Sequence, residues 1–363
     1  MSLEPDVRAA ASQFEFRGEV SAIAPHGNGH INDTYLVTCQ TQGAPVRYIL
    51  QHINRHVFRD PVAVMQNVER VTAHIAAQAA DESDGARRAL RLVPTREGRD
   101  WHVDAQGETW RAYSFIENAR TYETATSTEQ AFQAARAFGS FQQQLSTLPP
   151  PRLHETIPDF HNTPKRFAAL EAAVAADVAG RATLAKSEIN FARSRQSNTG
   201  ILLDAGMPER ITHNDTKFNN VLLDDKTGNA VCVIDLDTVM PGLALYDFGD
   251  MVRTTTSPAA EDELDLRKVT MQFPMFDALV RGYLESAGVF LTPLERKYLA
   301  FSGKLITFEI GLRFLTDYLA GDTYFKVHRE GHNLDRCRTQ FKLVESIEGQ
   351  EEKMNRLVES VAE

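Results

Sequence analysis

Cysteine is scarce in this chain: Cys39, Cys232 and Cys337 are an odd number at distant positions, without Cys-x-x-Cys spacing. That pattern argues against a disulfide framework and against a cysteine-ligated zinc site, and it points to a reducing compartment. Long apolar runs are also missing, and none approaches the roughly 18 residues of a membrane span, so no membrane partner is expected. The first residues, Met1-Ser-Leu-Glu-Pro-Asp6, lack a basic segment followed by an apolar core. No secretory signal is visible, and a cytoplasmic location is expected. Positive charge is in deficit, with 39 Lys and Arg against 49 Asp and Glu and a formal net charge of −10. A nucleic-acid partner is therefore not expected, because phosphate backbones are bound by basic stripes. Internal repeats and low-complexity segments are absent too, and nothing in the chain sets an oligomeric state.

What is present is an ordinary globular composition, 42% apolar and 24% charged. At 363 residues the chain exceeds what one core usually serves, so two lobes are expected, taking roughly 150 residues per domain as a prior. Strand-like alternation runs through Phe14–Ala24, Thr34–Cys39 and Val46–Gln51. Between the first two lies Pro25-His-Gly-Asn-Gly-His-Ile-Asn32. Its glycines, Gly27 and Gly29, suit either a plain hairpin turn or a loop whose bare N–H groups approach a phosphate. Asp60-Pro61 is an N-cap followed by a proline at the first helical position, and Val64, Val68, Val71 and Ile75 recur at helical spacing to about Ala80. Glu69 sits within that helix, as a solvated residue or as a partner for the sheet. Further strands are predicted near Leu90–Pro94, Trp101–Asp104 and Thr109–Ile116. Alternation stops at Glu117, which divides the chain into an N-terminal lobe, 1–117, and a C-terminal lobe, 118–363. In the second lobe, helices are predicted over 127–147 and from Thr163. Thr292-Pro-Leu-Glu295 is a capping box opening a helix toward Gly321, and a charged amphipathic helix is predicted over 331–363.

Chemistry concentrates in Ile211-Thr-His-Asn-Asp-Thr-Lys-Phe-Asn-Asn220 and Val231-Cys-Val-Ile-Asp-Leu-Asp-Thr238, two short apolar strands that each hand over carboxylates or amides. Asp215, Asn220 and Asp235 are the residue types that phosphoryl transfer from a magnesium-bound nucleotide needs: a carboxylate for the attacking hydroxyl, and an amide and a carboxylate for the ion. Asp237 falls on the same strand face as Asp235 and is a second metal or substrate candidate. His213, within the loop, reads as structural.

His213-x-Asp215-x-Lys217-x-x-Asn220 followed by Ile234-Asp235 resembles the catalytic loop and metal-binding aspartate of the aminoglycoside phosphotransferase and choline kinase superfamily. Within it, the chain resembles the N-acetylhexosamine 1-kinases. The likeness runs through Gly29-His-Ile-Asn32, Arg47-Tyr-Ile-Leu-Gln51, Thr212–Lys217, Ile234–Thr238, Met240-Pro-Gly242, Asp247-Phe-Gly-Asp250 and Arg313-Phe-Leu-x-Asp-Tyr-Leu319. The resemblance implies an α+β, bilobal protein-kinase-like fold, with a small antiparallel sheet and one helix in the N-lobe and a larger, mainly helical C-lobe. It also implies ATP and Mg2+ as cofactors and transfer to the anomeric hydroxyl of an N-acetylhexosamine.

The resemblance gives Asp215 and Lys217 catalytic roles and Asn220, Asp235 and Asp237 the metal. Gly27, Gly29, Phe115 and Glu117 fall to the nucleotide, with the 113–118 hinge, Ile49 and Val37 near the adenine. His30, Asn32, Asp250, Arg253, Arg313, Asp317 and Tyr318 fall to the sugar. Arg313 and Glu309 alternatively form a surface pair four residues apart. One departure stands out. Kinase-like folds carry a lysine on the third strand, paired with a helix glutamate, whereas this strand ends in Gln51. Lys217, two residues after Asp215, is the expected substitute. A kinase of aminoglycosides, choline or homoserine, and a nucleotide-binding pseudokinase motivated by Gln51, are the alternatives.

Overall fold

The computed structural model describes residues 4–27, 31–80 and 84–362. Its regular elements begin with α1 (Glu4–Ala11), β1 (Glu19–Pro25), β2 (Asp33–Gln40), β3 (Val46–Ile53), α2 (Pro61–Gln78), α3 (Gly85–Arg88), β4 (His102–Val103), β5 (Thr109–Ser114) and β6 (Ala119–Arg120). They continue with α4 (Thr128–Leu145), α5 (Thr163–Ala176), α6 (Lys186–Arg193), α7 (Ile201–Asp204), β7 (Arg210–Thr212), β8 (Val221–Asp224), β9 (Ala230–Val233) and β10 (Met240–Gly242). Helices α8 (Ala244–Thr255), α9 (Phe273–Ala287), α10 (Pro293–Lys297), α11 (Leu299–Leu319), α12 (His332–Glu348) and α13 (Glu351–Ala362) complete the chain. The fold is α+β. No helix among the described residues is long and apolar enough to cross a membrane, and Cys39, Cys232 and Cys337 are free and buried.

The chain divides into two compact units. The first takes the chain up to Arg120 together with 147–157 and 222–240; the last two segments lie beyond the boundary expected at residue 117. Pairing accounts for part of the difference, because β6 binds β8 with Ala119 opposite Asp224 and Arg120 opposite Leu223, which ties the segment from 222 onward to the first unit. Its main sheet is antiparallel in the order β1-β2-β3-β5-β4. Val37, Cys39, Leu50, Trp110 and Ala112 point from its strands into a core shared with Val7 and Phe14, so Val37 is a core residue rather than a pocket wall. Asp60 accepts a hydrogen bond from Ala63 N (3.0 Å) and starts α2, whose buried face carries Val64, Met65, Asn67, Val68 and Val71. Leu90–Pro94 is not a strand. Only Leu92 bridges to Tyr113, and the next N–H that could extend the ladder, that of Thr95, donates instead to the Arg99 carbonyl (2.7 Å).

The second unit is mainly helical: α4 packs against α9, and α11 against α5, α8 and α12. Gly282 permits the first of these contacts, since a Cβ there would stand 2.2 Å from the Phe132 carbonyl oxygen. The Thr292–Glu295 capping box forms. The helix it opens stops at Lys297, however, and α11 restarts after Tyr298, which lies at φ −99° and ψ 7°. The C-terminal segment is likewise two helices, separated at Gly349-Gln350.

Candidate active site

In the second unit, β7 delivers its chain into a loop held from below by α8. Asp247, fully buried, accepts from His213 N (2.9 Å), Asn214 N (2.7 Å) and Gln142 Nε2 (2.6 Å), and its carbonyl accepts from Thr216 Oγ1 (2.6 Å). Asn214 takes the left-handed conformation, φ 65°, which asparagine tolerates better than most residues. His213 is buried with its ring edge-on to Phe138 and Phe141, and Asp215 N donates to its Nδ1 (3.3 Å).

Asp215 thus stands on a loop fixed by a neighbouring carboxylate. Lys217 Nζ lies 2.9 Å from its Oδ1, and Asn220 Nδ2 donates to its carbonyl (2.8 Å) and to its Oδ2 (3.2 Å). Burial works against the Asp215 charge, but the Lys217 ammonium, helped by His213 and Arg253, outweighs it and holds the pKa below the usual aspartate value. Lys217 is raised in turn, chiefly by Asp215. Asp250 and Arg253, one turn apart on α8, join this group: Arg253 Nε donates to Asp250 Oδ1 (2.8 Å). Asp250 Oδ2 is buried and has no hydrogen-bond partner among the described residues, a costly state for a carboxylate oxygen unless a ligand completes it.

The α11 candidates separate. Arg313 lies 5.2 Å from the Phe160 ring centroid, 5.5 Å from Phe325 and 5.9 Å from Tyr324, and close enough to Arg166 to oppose its charge. Glu309 is fully buried and accepts from His161 Nδ1 (2.7 Å) and Thr163 Oγ1 (2.5 Å), so it forms no surface pair with Arg313. The far nitrogen of His161 lies 3.4 Å from the Asn214 carbonyl, which joins α11 to the loop that carries Asp215. Asp317 accepts from the N–H groups of Thr323, Tyr324 and Phe325 (2.8–2.9 Å) and from Asn333 Nδ2 (2.9 Å). Those bonds occupy its carboxylate within the fold. Tyr318 is buried, with Arg181 4.7 Å from its ring centroid.

In the first unit, Asp235 is exposed and sits at φ 61°, ψ 61°, while Asp237, two residues on, is buried. Asn32 Nδ2 donates to Asp237 Oδ2 (2.5 Å), and Arg111 Nη1 pairs with Asp237 Oδ1. Asn32 Oδ1 is used as well, accepting from Asn54 N (3.0 Å). Gln51 Nε2 donates to Thr34 Oγ1 (3.0 Å), and its Oε1 accepts from Arg111 Nε (3.0 Å). Glu69 is exposed, and the Gln51 amide has its partners in Thr34 and Arg111; partial desolvation and then Asp100 push the Glu69 pKa up.

Gly27 has φ 75° with open space where a Cβ would stand. Gly29 and His30 lie outside the described residues. Phe115 lies 4.0 Å beneath the Arg47 guanidinium, which also forks onto Glu117, and Ile49 is half-buried. Arg111, Asp247 and His161 hold candidate residues or their loop in place through hydrogen bonds, and the sequence reading missed them. Arg111 had a signal: a single charge inside the run Trp110-Arg-Ala-Tyr113, directly opposite Gln51 in the β3–β5 register.

Comparison with solved structures finds the same fold in small-molecule kinases. A microcompartment-associated aminopropanol kinase aligns over 97% of this chain and 98% of its own at 16% identity, with a TM-score of 0.59. A spectinomycin phosphotransferase in complex with ADP and spectinomycin aligns over 97% and 99% at 12% identity and 0.61. A choline kinase from Cryptosporidium parvum aligns over 99% of both chains at 13% identity and 0.60. The fold is therefore protein-kinase-like. The profile of the phosphotransferase enzyme family matches residues 22–281, most of the chain, and the protein belongs to that family.

Proposed function

We propose that this phosphotransferase uses ATP and Mg2+ to phosphorylate the anomeric hydroxyl of an N-acetylhexosamine, N-acetylglucosamine or N-acetylgalactosamine, giving the sugar 1-phosphate. The observation that carries the reading is the buried Asp250 Oδ2, which has no hydrogen-bond partner among the described residues and is set beside Arg253 in the same group as Asp215 and Lys217. A polyhydroxyl acceptor supplies the O–H donor that this oxygen lacks, and Arg253 supplies donors to the acceptor's oxygens. Asp215 suits the anomeric oxygen in particular. A carboxylate held below its usual pKa is a weak base, and the anomeric hydroxyl is more acidic than an ordinary alcohol, so the two are matched.

Each residue has a role in this reading. Asp215 orients the attacking hydroxyl and accepts its proton. Lys217 supplies positive charge toward the transferring phosphoryl group. Asn220, whose amide nitrogen is committed to Asp215, offers its oxygen to Mg2+, and the exposed Asp235 carboxylate offers another. Oxygen donors few in number fit a magnesium ion that takes its remaining ligands from phosphates and water, and the bound ion neutralises phosphate charge. Gly27 and Gly29 serve the nucleotide phosphates, and Phe115 and Glu117 its base. His30, Asn32 and Arg313 contribute to acceptor choice, and the reading keeps Asp317 and Tyr318 as supports of that region.

The arginines at 166, 253 and 313 weigh against the alternative of a strongly cationic acceptor. One assay separates the readings: ATP consumption with Mg2+ across N-acetylglucosamine, N-acetylgalactosamine, choline, homoserine and an aminoglycoside. Turnover with the two sugars alone is expected. Turnover confined to choline or an aminoglycoside overturns the sugar reading, and none with any acceptor favours the pseudokinase.

A further inference from the structure

We propose that Arg111 is the positioning residue of the metal-binding segment, holding Asp237 against the sheet as a buried anchor so that Asp235, the exposed carboxylate of the Asp-x-Asp pair, is the one presented to the cation. The proposal rests on the phosphotransferase reading and deepens it. Its starting point is the missing lysine of β3. In the place where a third-strand cation is expected stands Gln51, and Gln51 is bonded to a cation that arrives from the neighbouring strand. Arg111 is 1% exposed, too buried to serve as a mobile phosphate clamp, and its guanidinium is turned to internal partners. Nε donates to Gln51 Oε1, Nη1 pairs with Asp237 Oδ1, and Met65 Sδ lies 3.9 Å from Nη1.

From Asp237 the constraint spreads in two directions. One leads through Oδ2 to Asn32, and from Asn32 to the backbone of Asn54. The other leads through the Asp237 carbonyl, which accepts from Thr156 Oγ1 (3.0 Å), so this residue is held by side chain and backbone alike. Asp237 is the middle residue of the 3-10 turn Leu236–Thr238, and Asp235 is the residue immediately before that turn. A non-glycine residue in the left-handed region persists only where its surroundings over-determine it. The anchored turn provides that determination, and Arg111 is the charge that keeps the buried Asp237 carboxylate in place. Replacing Arg111 would therefore disturb Asp235 through the turn, besides removing a positive charge that senses the Asp235 carboxylate directly.

The test measures Mn2+ binding to the full-length chain with ADP present, by electron paramagnetic resonance, together with melting temperature and kcat. It compares wild type with Arg111→Met, Arg111→Lys, Asp237→Asn and Asp235→Asn. Arg111→Met is expected to weaken Mn2+ binding by about 10- to 100-fold, the range found when a residue orienting a metal ligand is removed, with kcat falling alongside. Arg111→Lys is expected to recover part of that loss, and Asp235→Asn to be the most severe. A purely structural role would lower the melting temperature while Mn2+ affinity and kcat stay at wild-type values well below it; that result overturns the proposal. Loss of Mn2+ in Asp237→Asn as complete as in Asp235→Asn, with Arg111→Met unaffected, makes Asp237 a ligand and also overturns it. If Arg111→Met does not fold, unchanged Mn2+ affinity in both Arg111→Lys and Asp237→Asn has the same force. Wild type separates the two claims. Absence of Mn2+ binding there overturns the phosphotransferase reading together with this one, whereas binding that survives the Arg111 substitutions overturns the positioning role alone.

Discussion

Asp215 illustrates how two opposing terms at one residue decide its chemistry. Burial disfavours its charge, and Lys217 at 2.9 Å more than restores it. Because its pKa is depressed, the ionised form persists to lower pH than for an ordinary aspartate, and the acid limb of the rate profile should lie correspondingly low. Lys217→Ala removes the largest stabilising contribution, so the Asp215 pKa rises and the acid limb moves to higher pH. Turnover at neutral pH should drop about a hundredfold or more, the scale for losing one fixed electrostatic group. Steady-state rates from about pH 4 to 9 check both effects, and near-normal turnover with an unmoved limb would remove Lys217 from the mechanism. Asp215→Asn should lower kcat by on the order of a hundred- to ten-thousandfold while ATP binding, read by calorimetry, persists. Normal turnover in that variant would show that the catalytic carboxylate lies elsewhere.

Among the elements, those set by local chemistry were legible and those set by packing were not. Asp60-Pro61 and the Thr292–Glu295 box announce α2 and α10, because an N-cap acts within four residues and can be read from a short stretch. The entry of 222–240 into the first unit depends on the pairing of β6 with β8, distant in sequence, and no periodicity reports it. The same division holds at the site. Asp215, Lys217 and Asn220 share one loop and were found together. Arg111 needed the β3–β5 register, and His161 needed the contact of its segment with α11 and the Asn214 carbonyl. Asp317 marks the cost of reading a helix face without its packing. Its carboxylate gathers three backbone N–H groups and Asn333, so Asp317→Asn should destabilise the fold by about 2 kcal/mol or more, as charge-assisted bonds in a buried site are lost. Thermal or denaturant unfolding measures this. A raised acceptor KM with unchanged stability would instead place Asp317 against the substrate.

At the scale of the whole molecule, charge sets how stability responds to acid. Among the described carboxylates with a clear shift, more are held below their ordinary pKa than above it. For Glu309, Glu295 and Glu188, burial opposes the charge in each case and is outweighed by the partner: His161 for Glu309, Arg210 for Glu295 and Arg338 for Glu188. Asp224 is lowered by the Thr227 backbone and Arg87. A group whose folded pKa is depressed contributes stability that is present above its unfolded value, 4.5 for glutamate and 3.8 for aspartate, and that is lost as pH falls through the folded value. Asp247, Asp100 and Glu69 are shifted up, mainly by burial, and their contribution has the opposite sign, declining as pH rises through their folded pKa values. The depressed set is the larger, so the melting temperature should hold near neutrality and fall steeply once pH drops below about 4.5, the ordinary glutamate range. Glu309→Gln should flatten that fall, since it removes a titrating group whose stabilisation exists only above it, while lowering stability at pH 7 because His161 loses its carboxylate. Melting curves from pH 3 to 8 for both proteins decide the matter. A wild-type melting temperature unchanged between pH 7 and 3.5 would mean that these buried pairs do not govern acid stability, and an equally steep fall in Glu309→Gln would place the titrating groups outside the His161–Glu309 pair.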